Sequence, residues 1–239
     1  MVDGAKWWVV ARREWRITFS SPLAFVLLGI WMLMSGYFFV ALITATQSSD
    51  MAPLLENMLV LVLFLAPLLS MRLLAEERRS GSEELILTAP ISPAQWVLGK
   101  YAGVLAVWTV FVLTTLLFPL ATGRLGTVDW GVVGASYLGM WLFGAVCLAV
   151  GLFDSSLTDN QLVAALVGFA IVLLLYAASF FGSSASGWLG NLLQYVALPS
   201  QFNNFSVGLI SVSPMVYYVS LAIGFIFLAV RAVDMRRWA

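Results

Sequence analysis

The side chains in this sequence that could do chemistry are few and unevenly placed. Of its 12 basic and 12 acidic residues, eight fall between Arg72 and Lys100: Arg72, Glu76, Glu77, Arg78, Arg79, Glu83, Glu84 and Lys100. Histidine is absent, which removes the commonest general base and the usual metal ligand. No catalytic residue and no metal site is therefore expected. The single cysteine, Cys147, lies in an apolar run, has no intrachain partner and reads as a packed core residue. A P-loop of the form G-x-x-x-x-G-K-[ST] does not occur in the sequence, so the chain is not expected to cradle nucleotide phosphates. The chemistry left to the charged stretch is docking: mixed charges beside Leu85, Ile86 and Leu87 suit a soluble partner. The plain alternative is a solvated loop whose charges keep it out of lipid.

The elements that hold this stretch are membrane spans. The sequence is 62% hydrophobic and 10% charged, with mean hydropathy +0.96, whereas soluble domains carry about 25% charged residues. Six apolar runs are long enough to cross the bilayer as helices, near residues 23–45, 54–71, 101–121, 132–153, 161–181 and 214–230. Their continuous apolar character favours helices over barrel strands. The predicted fold is an all-α membrane protein with six transmembrane helices, an N-terminal interfacial helix and a helix in the charged loop. Lys6, Arg12, Arg13 and Arg16 precede the first span, Arg72, Arg78, Arg79 and Lys100 flank the second loop, and Arg231, Arg236 and Arg237 follow the last span. Only Arg124 falls on the other side. The positive-inside rule then predicts a multi-pass inner (plasma) membrane protein with both termini and the 72–100 loop in the cytoplasm. No basic block suggests nucleic acid. The first apolar run is too long for a cleaved signal peptide and is read as a retained span.

Over residues 4–20, Trp7, Trp8, Ala11, Trp15 and Phe19 recur at helical spacing with Arg13 and Arg16 expected to point elsewhere, the pattern of an interfacial anchor against membrane lipid. Val10 and Ile17 break the amphipathic pattern and are free to pack on a partner or a neighbouring span. In the charged loop, Ser80 and Glu83 form an S-x-x-E capping box, predicting a helix over 81–89 that ends before Pro90. Ser92-Pro93-Ala94-Gln95 is a second start signal, leading through Trp96 and Lys100 into the third span. Thr158 and Gln161 are read as a third box, heading the fifth span after a short turn from Asp154. Pro67 and Pro119 are expected to kink their helices, and Gly134, Gly139, Gly144 and Gly151 to allow close packing.

The order Glu76-x-Arg78-Arg79-x-Gly81-x-x-Glu84-Leu85-x-Leu87-Thr88-x-Pro90-x-Ser92, followed by Val97-Leu98-Gly99-Lys100, resembles the coupling-helix loop of ABC-2-type transporter permeases, most closely the gliding-motility (GldF) branch. Ser21-Pro22-Leu23-Ala24-Phe25 is similar to that family's first helix, Gly151-Leu152-Phe153 through Asn160-Gln161 to its fourth-to-fifth connection, and Val216-Tyr217-Tyr218 to its approach to the last helix. The resemblance implies a single six-helix domain over 1–239 that pairs with a second permease subunit, the same or homologous. It also implies docking on cytoplasmic ABC ATPase subunits that bind ATP and magnesium in its stead, so the chain itself is no enzyme. Arg78, Arg79, Gly81, Glu84, Leu85, Leu87, Thr88 and Pro90 are then the expected ATPase-docking residues.

Between Asn160 and Val230 no charge occurs. In the outer loop over 182–213, Trp188, Leu189, Leu192, Leu193, Tyr195 and Val196 predict a short helix dipping into the outer leaflet, broken by Pro199. Trp188, Gln194, Gln201 and Asn203 are candidates for an outer gate or for contact with an extracytoplasmic protein; a plain interfacial loop is the alternative. Function is read as the permease subunit of an ATP-driven exporter of a hydrophobic or lipid-linked substrate, or alternatively as a mechanotransmission subunit driving an outer partner. An intramembrane enzyme is disfavoured, since neither histidine nor G-x-S-x-G is present.

Overall fold

The computed structural model describes residues 6–46, 50–81, 91–124, 126–184 and 187–236. Among them, eleven helices follow one another and no strand occurs: α1 (Lys6–Ser20), α2 (Pro22–Thr46), α3 (Ala52–Ser70), α4 (Ala75–Arg79), α5 (Pro93–Thr114), α6 (Leu117–Thr122), α7 (Trp130–Leu157), α8 (Gln161–Ser184), α9 (Trp188–Val196), α10 (Leu198–Ser206) and α11 (Val212–Arg236). Six stretches are long and apolar enough to span a membrane: α2, α3 with α4, α5 with α6, α7, α8 and α11. The shortest has 24 residues, about 36 Å of helix against about 30 Å of hydrocarbon. The six predicted spans are all present, extended by a few residues at most ends.

The bundle is built around α7. Of its apolar stretch 83% is buried, against 17% for α2, which lies at the edge. Missing side chains on α7 let its neighbours close in. A Cβ at Gly144 would lie 2.2 Å from Cε2 of Trp108 on α5, one at Gly139 2.8 Å from Phe205 on α10, and one at Gly151 would overlap the Ser70 hydroxyl of α3. These glycines serve packing within the chain, as expected; Gly134 faces open space instead.

Side chains from other helices bond to two carbonyls where α5 gives way to α6. Pro119 has no N–H to give Thr115, and the Thr115 carbonyl accepts from the Phe118 amide (3.1 Å) and from the Tyr137 hydroxyl (2.8 Å). The Thr115 amide turns back to Val112, and the Phe111 carbonyl accepts from the Trp31 indole at 2.8 Å. Trp31 is fully buried, and its indole ties a span at the bundle's edge to α5. The sequence predicted a kink at Pro119; the tertiary hydrogen bonds explain why it is tolerated.

The α5 start matches expectation. Ser92 Oγ accepts from the Gln95 amide (3.2 Å) while Gln95 Oε1 accepts from the Ser92 amide (3.3 Å), with Pro93 in the first turn. The α8 start does not. Asn160, not Thr158, caps it, through Oδ1 accepting from Leu162 and Val163. Thr158 Oγ1 accepts from the Asn160 amide (3.1 Å) and so shapes the turn that presents Asn160. The fourth-to-fifth connection is also shorter than expected, because α7 continues through Asp154 to Leu157.

At the end opposite the charged loop, the residues from Trp188 onward form two helices, α9 and α10, rather than one. Pro199 opens the second of them. Tyr218 donates to the Leu198 carbonyl (2.8 Å), Tyr217 to the Val196 carbonyl, and Gln201 to the Tyr195 carbonyl (3.0 Å), so the joint is tied to α11 and to itself.

Gly144→Ala should lower the thermal midpoint of the detergent-solubilised chain, because forcing a methyl against Trp108 costs about 1–3 kcal/mol. Gly29→Ala, where nothing lies within 4 Å, should leave it unchanged or raised. Equal midpoints for the two variants, read by thermal-shift fluorescence, would contradict this packing.

Candidate functional site: a buried ion-pair cluster at the charged end

The site begins where α3 fails to continue. Pro67 lies inside α3, and at residues 71–74 the helix loosens into turns. Ser155 of α7 enters that gap. Its hydroxyl donates to the Met71 carbonyl and accepts from the Leu74 and Ala75 amides, each at 3.0 Å. One inserted side chain thus satisfies three backbone groups that a regular helix would have paired internally. The result is a fixed joint that re-aims the chain into α4.

Beyond the joint, α4 places Glu77 against Lys100 of α5 and Glu14 of α1. Lys100 Nζ lies 2.9 Å from Glu14 Oε2 and 3.0 Å from Glu77 Oε1, and Arg13 Nη1 lies 3.3 Å from the same Glu77 oxygen. Lys100, Glu14 and Glu77 are all buried, at 3%, 5% and 7% exposure. Two carboxylates and two cations balance, which is what allows charges to persist inside the fold. The second Glu77 oxygen, Oε2, is buried without a hydrogen-bond partner.

Close approach of α1 and α5 makes the cluster possible. A Cβ at Gly99 would lie 2.6 Å from Val10 Cβ and 2.7 Å from the Trp7 carbonyl, and one at Gly103 would lie 2.6 Å from Glu14 Cβ. Advancing one turn along each helix keeps them in contact, so the two run in the same direction. Val10 therefore packs on a neighbouring span. Gly99-x-x-x-Gly103 brackets Lys100, and this small-residue spacing was a readable sign of close helix approach. Arg72 completes the frame by donating to Ser21 Oγ (2.9 Å) at the α1–α2 break, and Arg236 caps α7 through the Leu157 carbonyl (3.0 Å).

Of the expected docking residues, Arg78, Arg79 and Gly81 are described; Glu84, Leu85, Leu87, Thr88 and Pro90 lie outside the described residues, as does Glu83. Arg79 is exposed and Arg78 half-buried. Ser80 does not have the extended backbone of an N-cap. It is in right-handed helical geometry and ends α4, its amide bonding to the Glu76 carbonyl (3.0 Å). Gly81, with φ +70°, follows as the left-handed residue that terminates a helix. Ser80 and Gly81 therefore close α4, and the rest of the helix expected over 81–89 lies outside the described residues. Arg79 shares a recess with Asp159 and Asn160 from the α7–α8 turn, so that turn belongs to the same face as the charged loop.

The expected anchor residues divide. Trp7, Trp8 and Arg16 are exposed, and Trp15 is half-buried against Phe19 with ring centroids 4.7 Å apart. Arg13 instead turns to Glu77, and the inner edge of α1 carries Ala11, Glu14 and Thr18. The outer candidates do not converge. Trp188 is 73% exposed; Gln194 is exposed, with its stem against Gly182 of α8. Gln201 is spent on the Tyr195 carbonyl, and Asn203 is exposed. Sequence reasoning missed Glu14, Glu77 and Ser155 as partners. It also placed Asp154 in a turn, whereas that carboxyl is buried in α7 with neither oxygen hydrogen-bonded.

Lys100→Met should destabilise the chain by roughly 3–5 kcal/mol, since it leaves Glu14 and Glu77 buried without their shared cation. Adding Glu14→Gln should recover part of that loss. Unfolding midpoints in detergent for the two single variants and the double variant test the coupling; strictly additive losses would contradict a shared ion pair.

Comparison with known proteins bears on a site of this kind. The family model for the ABC-2 family transporter protein matches residues 44–233, which include Glu77, Lys100 and Ser155 but not Glu14. No curated protein matches the chain at a significant level. An ABC-2 permease is the membrane subunit of an ABC transporter and relies on a separate ATPase subunit. With six apolar spans, and most of its length matched, this chain is a multi-pass integral membrane protein that belongs to the ABC-2 transporter family.

Proposed function

We propose that the chain couples ATP hydrolysis by a partner ATPase, which holds the ATP and magnesium, to export of a hydrophobic or lipid-linked substrate, in the manner of the GldF branch. The observation that carries this reading is the buried cluster of Glu14, Lys100, Glu77 and Arg13. It joins α1, α4 and α5 on either side of the 82–90 segment, the stretch whose residues resemble a coupling helix. A push on that segment reaches Glu77 through α4 and Lys100 through α5, and both lead directly into spans. Ser155 extends the same frame to α7, the axis of the bundle. Both termini and this face are assigned to the cytoplasm by the excess of Arg and Lys there.

Docking falls to exposed groups rather than to the cluster itself. Arg79 stands at the rim beside Asp159 and Asn160, where a carboxylate of the ATPase would pair with it. Glu84, Leu85, Leu87, Thr88 and Pro90 are assigned to the contact, with the leucines filling a groove of the ATPase. A second permease copy or homologue completes the transporter. A substrate of low charge suits spans in which Glu56 and Asp154 are the only carboxylates within the described apolar stretches of α3 and α7. The mechanotransmission reading draws on α9, whose Trp188, Leu189, Leu192 and Tyr195 are exposed and offer an outer partner an apolar face.

Arg79→Glu should weaken copurification of the cognate ATPase by at least about tenfold, equivalent to ~1.4 kcal/mol, while the thermal midpoint of the permease stays unchanged. Vanadate-sensitive hydrolysis by the reconstituted complex should fall in parallel. Wild-type binding and hydrolysis by the variant would remove this residue, and the face it marks, from the docking surface.

A further inference from the structure

A second feature of α1 lies on the side turned away from the ion-pair cluster. Trp8, Arg12 and Trp15 follow one another at i, i+4 and i+7, so they share one face of the helix. Together with Gly103 and Ala106 of α5 they enclose an open groove of about 350 Å³ whose walls are mostly apolar. The groove exists because Gly103 lets α1 lie against α5, while exposed Trp8 and half-buried Trp15 border its open side. It belongs neither to the coupling frame nor to the docking rim.

The charges around the groove point to its occupant. Arg12 is exposed and makes no ion pair with any described residue, and Arg16, one turn on, is exposed and likewise unpaired among them. Among the described residues, Glu14 points inward to Lys100, and Glu77 is taken by Lys100 and Arg13. Two uncompensated guanidinium groups at the mouth of an apolar groove favour a ligand with an anionic head and a hydrocarbon tail. The position agrees. α1 leads into the span α2 through a break at Ser21, and α5 enters its own span at the same level. With α2 and α5 taken as spans, this end of each would meet the bilayer where headgroups give way to acyl chains, the depth at which indoles concentrate.

We infer that the α1–α5 groove is a binding site for one anionic phospholipid of the adjoining leaflet. Its acyl chain lies between Trp8 and Trp15 over Gly103 and Ala106, and its phosphate lies against Arg12 with Arg16 beside it. The lipid is a resident one that holds α1 on the membrane, distinct from any transported substrate. Arg13, which the sequence pattern grouped with the anchor, has no part in it.

Native mass spectrometry of the full chain, released from detergent micelles doped with dioleoyl phosphatidylglycerol or dioleoyl phosphatidylcholine, tests the site. The wild type should retain one phosphatidylglycerol in preference to phosphatidylcholine by roughly fivefold, the size expected for one basic side chain facing an anionic head. Arg12→Gln should abolish the preference, and Ala106→Phe, which fills the groove, should abolish retention of either lipid. Arg124→Gln, at the other end of the bundle, should change nothing. Equal retention of the two lipids by the wild type would overturn the proposal. So would retention that survives Ala106→Phe, which would mean attraction of headgroups to a basic surface alone, or displacement by glycerophosphoglycerol lacking acyl chains, which would mean a simple phosphate site. None of these outcomes depends on ATPase docking.

Discussion

A lysine buried between two glutamates governs how the charged end of this protein is put together. At 3% exposure, the Lys100 ammonium group is met by both Glu14 and Glu77, which offsets the cost of burying it. Those two carboxylates come from different elements, so the electrostatic requirement is also a geometric one. α1 must lie on α5, and α4 must fold back toward both. Glycines at 99 and 103 meet the first condition by removing the side chains that would hold α1 away. Ser155 meets the second, by occupying the gap where α3 gives way to α4.

The rest of the bundle follows a similar logic of one helix repairing another. Within lipid an unpaired backbone group has no water to turn to. Several irregularities are accordingly matched by a polar side chain from a neighbour. Tyr137 adds a bond to the Thr115 carbonyl, which Pro119 cannot serve, and Trp31 adds one to that of Phe111. Tyr217 and Tyr218 serve the α9–α10 joint. These bonds tie α2 and α7 to α5, and α11 to α9 and α10, and they make the breaks fixed features of the fold rather than weak points. A movement imposed at the charged end therefore meets a bundle whose joints are already defined.

Much of this architecture was legible in the sequence, for reasons that are local. Span positions follow from runs of apolar residues, and the Ser92–Gln95 box from four consecutive side chains whose roles need no tertiary context. Long-range pairings were not legible. Glu14 and Lys100 are 86 residues apart, and nothing in either neighbourhood names the other, although Gly99-x-x-x-Gly103 signalled that some helix must come close. Around residue 160 two capping residues compete, and only the bonds from the Leu162 and Val163 amides to Asn160 Oδ1 show that Asn160 takes the role. Ser80 fitted an N-cap by type, yet its backbone closes α4. Arg13 and Arg16 read alike as membrane anchors, but only contact with Glu77 separates them. The outer candidates show the same limit: Gln201 carries a polar side chain suited to a gate, and the structure spends it on a backbone carbonyl.

If the ion-pair cluster carries motion from an ATPase to the spans, then α1, α4 and α5 must travel as one body. Spin labels at Val9 and Glu76, both exposed, report this directly by double electron–electron resonance in a Cys147→Ala background. The distance distribution between them should keep its centre and width in the nucleotide-free and the vanadate-trapped complex. A shifted or broadened distribution in the trapped state would show that α1 parts from α4 during the cycle, and the cluster would then be a site of rupture rather than of transmission.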